Sequence, residues 1–95
     1  MDAIITYDVE YNPLNPKNDE VKNGMKTLGY DDHFVYQDTV YYLPNTTLWK
    51  PDTEPLKAQN DLFDVAKKCY AKIERMFANE LSSNWEAVVG KPYEK

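Results

Sequence analysis

The sequence predicts an α+β domain in the order strand, helix, two strands, helix, strand. Three observations carry this. An apolar, β-branched run opens the chain, Ala3-Ile4-Ile5-Thr6-Tyr7-Asp8-Val9. Two later stretches place apolar residues at helical spacing. Between them lies a stretch dominated by aromatic and β-branched residues, the composition of strands.

The opening strand is expected to end at about Val9. Asp8 is locally out of place in it, because Asp is depleted in strands. Residues 10–17 read as a loop in which Pro13 and Pro16 fix φ and bias the preceding residues to extended backbone. A helix follows, with Asn18 as its N-cap and Asp19 and Glu20 in the first turn, where the dipole favours negative charge. Val21, Met25 and Leu28 form its apolar stripe, Lys22 and Lys26 lie on another face, and Gly29 supplies a left-handed cap.

Residues 33–43 read as β structure folded into a hairpin. Gln37-Asp38 at its centre lacks the glycine of a tight primed turn, so a looser turn or a bulge is expected. Pro44-Asn45 ends the strand. Residues 46–54 are expected to be irregular, with Leu48 and Trp49 folded back onto the core, Trp49 as a plug over the sheet edge, and Pro51 stopping any strand.

The longest helix is expected to begin between Glu54 and Asp61 and to run to about Leu81. Leu62, Val65, Ala66, Cys69, Ile73, Met76 and Phe77 give it a broad apolar face, and Lys68, Lys72 and Arg75 line a neighbouring one at i, i+4 and i+7. Ser82-Ser83-Asn84 breaks it, and residues 85–89 alternate as a final strand. This order is the split βαβ arrangement: a single ferredoxin-like domain over residues 1–95, βαββαβ, with a four-stranded antiparallel sheet and both helices on one face. An alternative makes residues 33–49 one long bent strand and leaves a three-stranded sheet.

The formal net charge of −5 disfavours generic nucleic-acid binding, which draws on Lys and Arg against phosphates. Aromatics make up 14% of the chain, enough for a packed core. The single cysteine, Cys69, excludes an intramolecular disulfide and suits a reducing, cytoplasmic setting. No secretory signal is expected, since the N-terminus lacks a basic region followed by an apolar run. No stretch is apolar for the length a membrane span needs, so no membrane partner is expected. A chain this short buries a modest core, which dimerisation would enlarge.

Asp8 is the foremost candidate site. It reads either as a ligand for Mg²⁺ or Mn²⁺, hard cations that take carboxylate oxygens, or as a cap for the loop leading to Pro13. Asp31, Asp32 and His33 are the one mixed metal-ligand cluster, but adjacent residues on extended backbone point in different directions, and turn acids beside a surface His are the better account of them. Lys68, Lys72 and Arg75 would track a phosphate backbone or form a solvated helical face. Tyr36, Tyr41 and Tyr42 would stack on RNA bases or pack a sheet or dimer interface. Cys69 sits mid-stripe as inert core.

Ile4-Ile5-Thr6-Tyr7-Asp8 opening a chain of this length resembles a ferredoxin-like superfamily that includes the small CRISPR-associated adaptation protein and the virulence-associated protein D toxins. Within it, the chain is most similar to the small bacterial and phage proteins described as SinR-like. The shared order is the Tyr-Asp strand, a Pro-containing loop, Leu28-Gly29-Tyr30 at a helix end, and Tyr41-Tyr42-Leu43-Pro44-Asn45-Thr46-Thr47-Leu48-Trp49. The resemblance implies a homodimer packed through sheets. It also implies a metal-dependent endoribonuclease in which Asp8 of each subunit approaches the dimer axis and shares a divalent cation. A different class of function competes with it: a non-catalytic module that binds a protein partner through a sheet edge or its acidic surface, within a toxin–antitoxin, defence or phage system.

Overall fold

The computed structural model describes residues 1–93. It is an α+β fold of β1 (Asp2–Val9), α1 (Asn18–Thr27), β2 (His33–Tyr36), β3 (Thr39–Tyr42), β4 (Thr47–Lys50), α2 (Pro55–Cys69) and β5 (Ile73–Leu81). The strands form two antiparallel sheets, a three-stranded β4-β1-β5 and a two-stranded β2-β3.

The opening strand is the centre of the molecule. Ala3, Ile5, Tyr7 and Val9 are buried, while Thr6 and Asp8 between them are exposed, the alternation of a sheet covered on one side. On the covered side Val21 and Met25 of α1, and Ala58, Leu62 and Val65 of α2, join the β1 residues in one core cluster. Both helices therefore lie on one face, as expected. The 18–27 helix is found where the sequence places it, although Lys17 rather than Asn18 is its N-cap and Leu28 is largely exposed. Gly29 takes φ +100°, the left-handed cap its position requires. No helix among the described residues is long and apolar enough to cross a membrane.

Several expectations are corrected. The long helix stops at Cys69, and Ile73–Leu81 is a strand paired along the whole of β1. The cause of the misreading is visible in the register. Asp8 pairs with Arg75 and Val9 with Ile73, so Glu74 is skipped in a bulge. The bulge brings Ile73 and Met76, three residues apart, onto the same core-facing side with Ala78. In sequence, that spacing imitates a helix. The strand is required because β4 pairs with only one edge of β1, and a central strand must satisfy its main-chain groups on both edges.

Residues 47–50, expected to be irregular, form β4 against β1. Leu48 is fully buried as anticipated, and the strand ends just before Pro51. Residues 85–89 form no strand; they lie along the sheet with Tyr42 donating its main-chain N–H to the Val89 carbonyl at 3.1 Å. The β2–β3 hairpin is present, but its turn is tight: Gln37 and Asp38 both adopt left-handed backbone, φ 50° and 62°, without a glycine.

The four-stranded ferredoxin sheet is consequently not formed. The hairpin is a separate ribbon, tied to β4 where Asp31 and Trp49 exchange main-chain hydrogen bonds of 2.9 and 3.0 Å. The sheet of three strands arises from β4, β1 and β5, not from a single bent strand over 33–49.

Candidate functional site

The uncovered face of the β4-β1-β5 sheet gathers most of the sequence-predicted chemistry. Register pairs share a face. Ile4 therefore stands between Trp49 and Asn79, Thr6 between Thr47 and Phe77, and Asp8 beside Arg75. Thr47 donates to Thr6 across the strands at 3.2 Å. Residues 42–44 and 86–88 overhang this face and leave a largely apolar groove of about 650 Å³ along Ile4, Phe77 and Val88. Phe77 is 57% exposed.

Asp8 lies at the end of this face with its side chain half exposed. Its Oδ2 accepts a hydrogen bond from Arg75 Nε at 2.7 Å. That bond and the charge of Asp8 raise the Arg75 guanidinium pKa above its ordinary value. Arg75, predicted to lie on a helical basic face, is thus the strand partner of Asp8. The other two members of that face go elsewhere: Lys68 is on the last turn of α2, and Lys72, in the connection to β5, meets Glu10 at 3.5 Å. The basic line of Lys68, Lys72 and Arg75 does not exist, because it required the helix to continue.

The resemblance implies a divalent cation at Asp8. The donor set within one chain does not fit one. Asp8 offers a single carboxylate already engaged by a cation, and the described residues contain no group of three His, Cys, Asp or Glu that could hold a metal ion.

Asp32 and His33 are brought together, but cations surround them. His33 Nδ1 is 2.9 Å from Asp32 Oδ1, and Lys22 and Lys26 approach Oδ2 at 3.4 and 3.5 Å. Burial works against ionisation of Asp32, yet the His33 hydrogen bond and the two lysine charges outweigh it and bring the pKa down to about 2. Asp32 is therefore an ionic clasp between α1 and the start of the hairpin. Asp31 instead spends its main chain on the bridge to Trp49.

The tyrosines sit on the hairpin, not on the main sheet. Tyr36 and Tyr41 enclose Trp85, with ring centroids 5.2 and 5.4 Å away, and Phe34 meets it edge-on at 4.9 Å. Tyr42 packs on His33. These are the offset and edge contacts of a packed cluster. Trp49 is a strand residue whose indole N–H donates to the His33 carbonyl and whose ring meets Phe34, so it fastens the ribbon to the sheet. Trp85, expected in a strand, is the residue that holds the C-terminal segment down. Cys69 packs against the core as expected.

A second buried polar group belongs to the core. Tyr30, fully buried, donates to Asp61 Oδ2 at 2.8 Å, and Lys57 reaches Oδ1 at 2.6 Å. Burial, then the Asp61 contact, raises the Tyr30 phenol above its ordinary pKa. Burial opposes ionisation of Asp61 as well, but the hydrogen bonds from Lys57 and Tyr30 leave its pKa lowered. The sequence reading missed this network, since a Tyr and an Asp so far apart in the chain carry no local signal.

Compared with protein-family models, with curated proteins and with solved structures, the chain finds no match.

Proposed function

We propose that the chain is a cytoplasmic, non-catalytic protein-interaction module whose working form is a homodimer joined through the β5 edge and the uncovered sheet face. The observation that carries the reading is β5 itself. It is an edge strand of nine residues, and its exposed side chains include Phe77, 57% accessible. A long edge with an exposed aromatic is a template for pairing unless something covers it.

Sedimentation velocity on the purified protein tests the reading. The expected result is a dimer that Phe77→Lys converts to a monomer of unchanged circular dichroism. A wild-type monomer at every concentration up to the solubility limit would overturn it.

A second reading is the metal-dependent RNA cleavage that the resemblance implies. What favours it is the half exposure of Asp8 at the strand end. It requires Asp8 to exchange its Arg75 partner and a further carboxylate to come from another subunit. Mn²⁺ titration by calorimetry, with labelled RNA in the same samples, compares wild type with Asp8→Asn. Unchanged cleavage in the variant, or no metal binding by wild type, eliminates this reading.

A further inference from the structure

We propose that the aromatic hollow at the start of β1 binds a small organic cation of the quaternary or methylated ammonium class. Phe34, Tyr36, Trp49 and Trp85 would surround the cation, and Asp2 would supply its counter-charge. The proposal goes beyond the dimer reading and uses another part of the surface, since the hollow meets β5 at its last residue, Leu81.

Separate segments build the hollow. Asp2 and Leu81 are register partners at the end of the sheet, and Trp49 stands beside Ile4 on the same uncovered face. Phe34 and Tyr36 are two residues apart on β2 and so share one side of the ribbon. Trp85 closes the hollow from the segment that follows β5. The enclosed volume is about 320 Å³, at the small end of ligand pockets.

The rings stand at steep angles to one another. Phe34 meets Trp85 at 4.9 Å between centroids and 87°, Tyr36 meets Trp85 at 5.2 Å and 81°, and Phe34 meets Trp49 at 5.8 Å and 72°. Rings so inclined form the walls of a corner and not a flat stack. A compact cation set into a corner touches several rings at once, and each ring face within about 6 Å attracts it through the quadrupole. Anchoring the C-terminal segment accounts for Trp85 against Phe34 and Tyr41. It does not account for Tyr36, which lines the hollow and is 49% exposed.

The charge of the hollow is negative. Asp2 is the one charged side chain that lines it, and no Lys, Arg or His does. Asp2 Oδ1 accepts the Asp52 N–H at 3.1 Å, which fixes the carboxylate and brings a second acidic residue to the same end. Neither Asp2 nor Asp52 has an ion-pair partner among the described residues, whereas Asp8, Asp32 and Asp61 each hold a cation. A neutral apolar ligand leaves Asp2 unanswered, and a bare ammonium must shed its water to reach the rings. An alkylated ammonium offers a charge to Asp2 and a weakly hydrated apolar shell to the rings, the pairing that aromatic cages use.

Both tryptophans of the chain line the hollow, so their emission reports its occupancy. The full chain is titrated with choline, with the uncharged tert-butyl isostere of choline, and with a short peptide carrying either trimethyllysine or unmodified lysine. The expected result is a saturable change with choline or the trimethyllysine peptide. The tighter of the two tells whether the cation is free or borne by a protein. Asp2→Asn keeps the oxygen that accepts the Asp52 N–H and removes only the charge; it should weaken binding several-fold, by less as salt rises. Tyr36→Leu should weaken it roughly 2–5-fold, with circular dichroism unchanged. No saturable change up to about 50 mM of either cation overturns the proposal, because a Kd of about 1 mM would be saturated there. So does a tert-butyl isostere or an unmodified lysine peptide that binds as tightly as the alkylated cations, and so does binding that Asp2→Asn and Tyr36→Leu leave unchanged.

Discussion

Arg75 Nε lies 2.7 Å from Asp8 Oδ2, and the two residues are direct register partners across β1 and β5. The carboxylate most suggestive of metal chemistry and one cation of the supposed RNA-binding row therefore neutralise each other within one chain. Both side chains are more than half exposed, so solvent screens the pair and its share of stability is small. Asp8→Asn is expected to leave the fold intact and the thermal midpoint nearly unchanged. A large drop in a melting scan would show that the pair, and not the core beneath it, holds β5 in register.

Asp32 gives the protein an acid-sensitive clasp. Its carboxyl pKa is lowered from 3.8 to about 2. Below the ordinary carboxylate range the unfolded chain takes up this proton before the folded one does. The stabilisation is then complete above about pH 4 and is lost as pH falls towards 2. Denaturant titrations at intervals of pH should show that slope in the wild type. Asp32→Asn should be less stable at neutral pH and should lack this component of the acid dependence.

Tyr7 carries the opposite signature. Its ring is buried under the helices, and its hydroxyl finds no hydrogen-bond partner among the described residues. Burial pushes its pKa up to about 12. The unfolded phenol ionises first as pH rises through 10, so folding loses free energy between about pH 10 and 12. Removing an unsatisfied buried hydroxyl is neutral or favourable. Tyr7→Phe should therefore match or exceed the wild type by up to about 2 kcal/mol at neutral pH. It should also flatten the alkaline loss, as read by denaturant unfolding.

Gly24 sets how closely the helices approach. A Cβ built there would lie 2.6 Å from Val65 Cγ1 on α2. Ala in place of Gly inside a helix ordinarily stabilises it by about 0.5–1 kcal/mol. Here the stiff β-branched Val65 cannot move aside cheaply. Gly24→Ala should cost about 1–3 kcal/mol in chemical denaturation, and Gly24→Ala/Val65→Ala should recover part of the loss that Val65→Ala alone does not predict.

The sequence alone determined the elements whose signals are local. The opening strand, the 18–27 helix, the left-handed turn at Gly29, the hairpin over 33–42 and the stop at Pro51 follow from side-chain alternation, helical spacing, glycine freedom and the fixed φ of proline. Tertiary structure decided the rest. Residues 73–81 read as helix because a bulge at Glu74 puts Ile73 and Met76 on one side, and only the unmet edge of β1 makes that stretch a strand. Residues 47–50 pair because the other edge of β1 needs a partner. The candidate site followed the same division. Asp8 is visible in the sequence as a carboxylate at a strand end, but its partner is 67 residues away, and a change of element from helix to strand is what brings Arg75 to it. Periodicity records which side of an element is apolar; it does not record which backbone will satisfy the hydrogen bonds of a neighbour, and that accounting is complete only when the chain is folded.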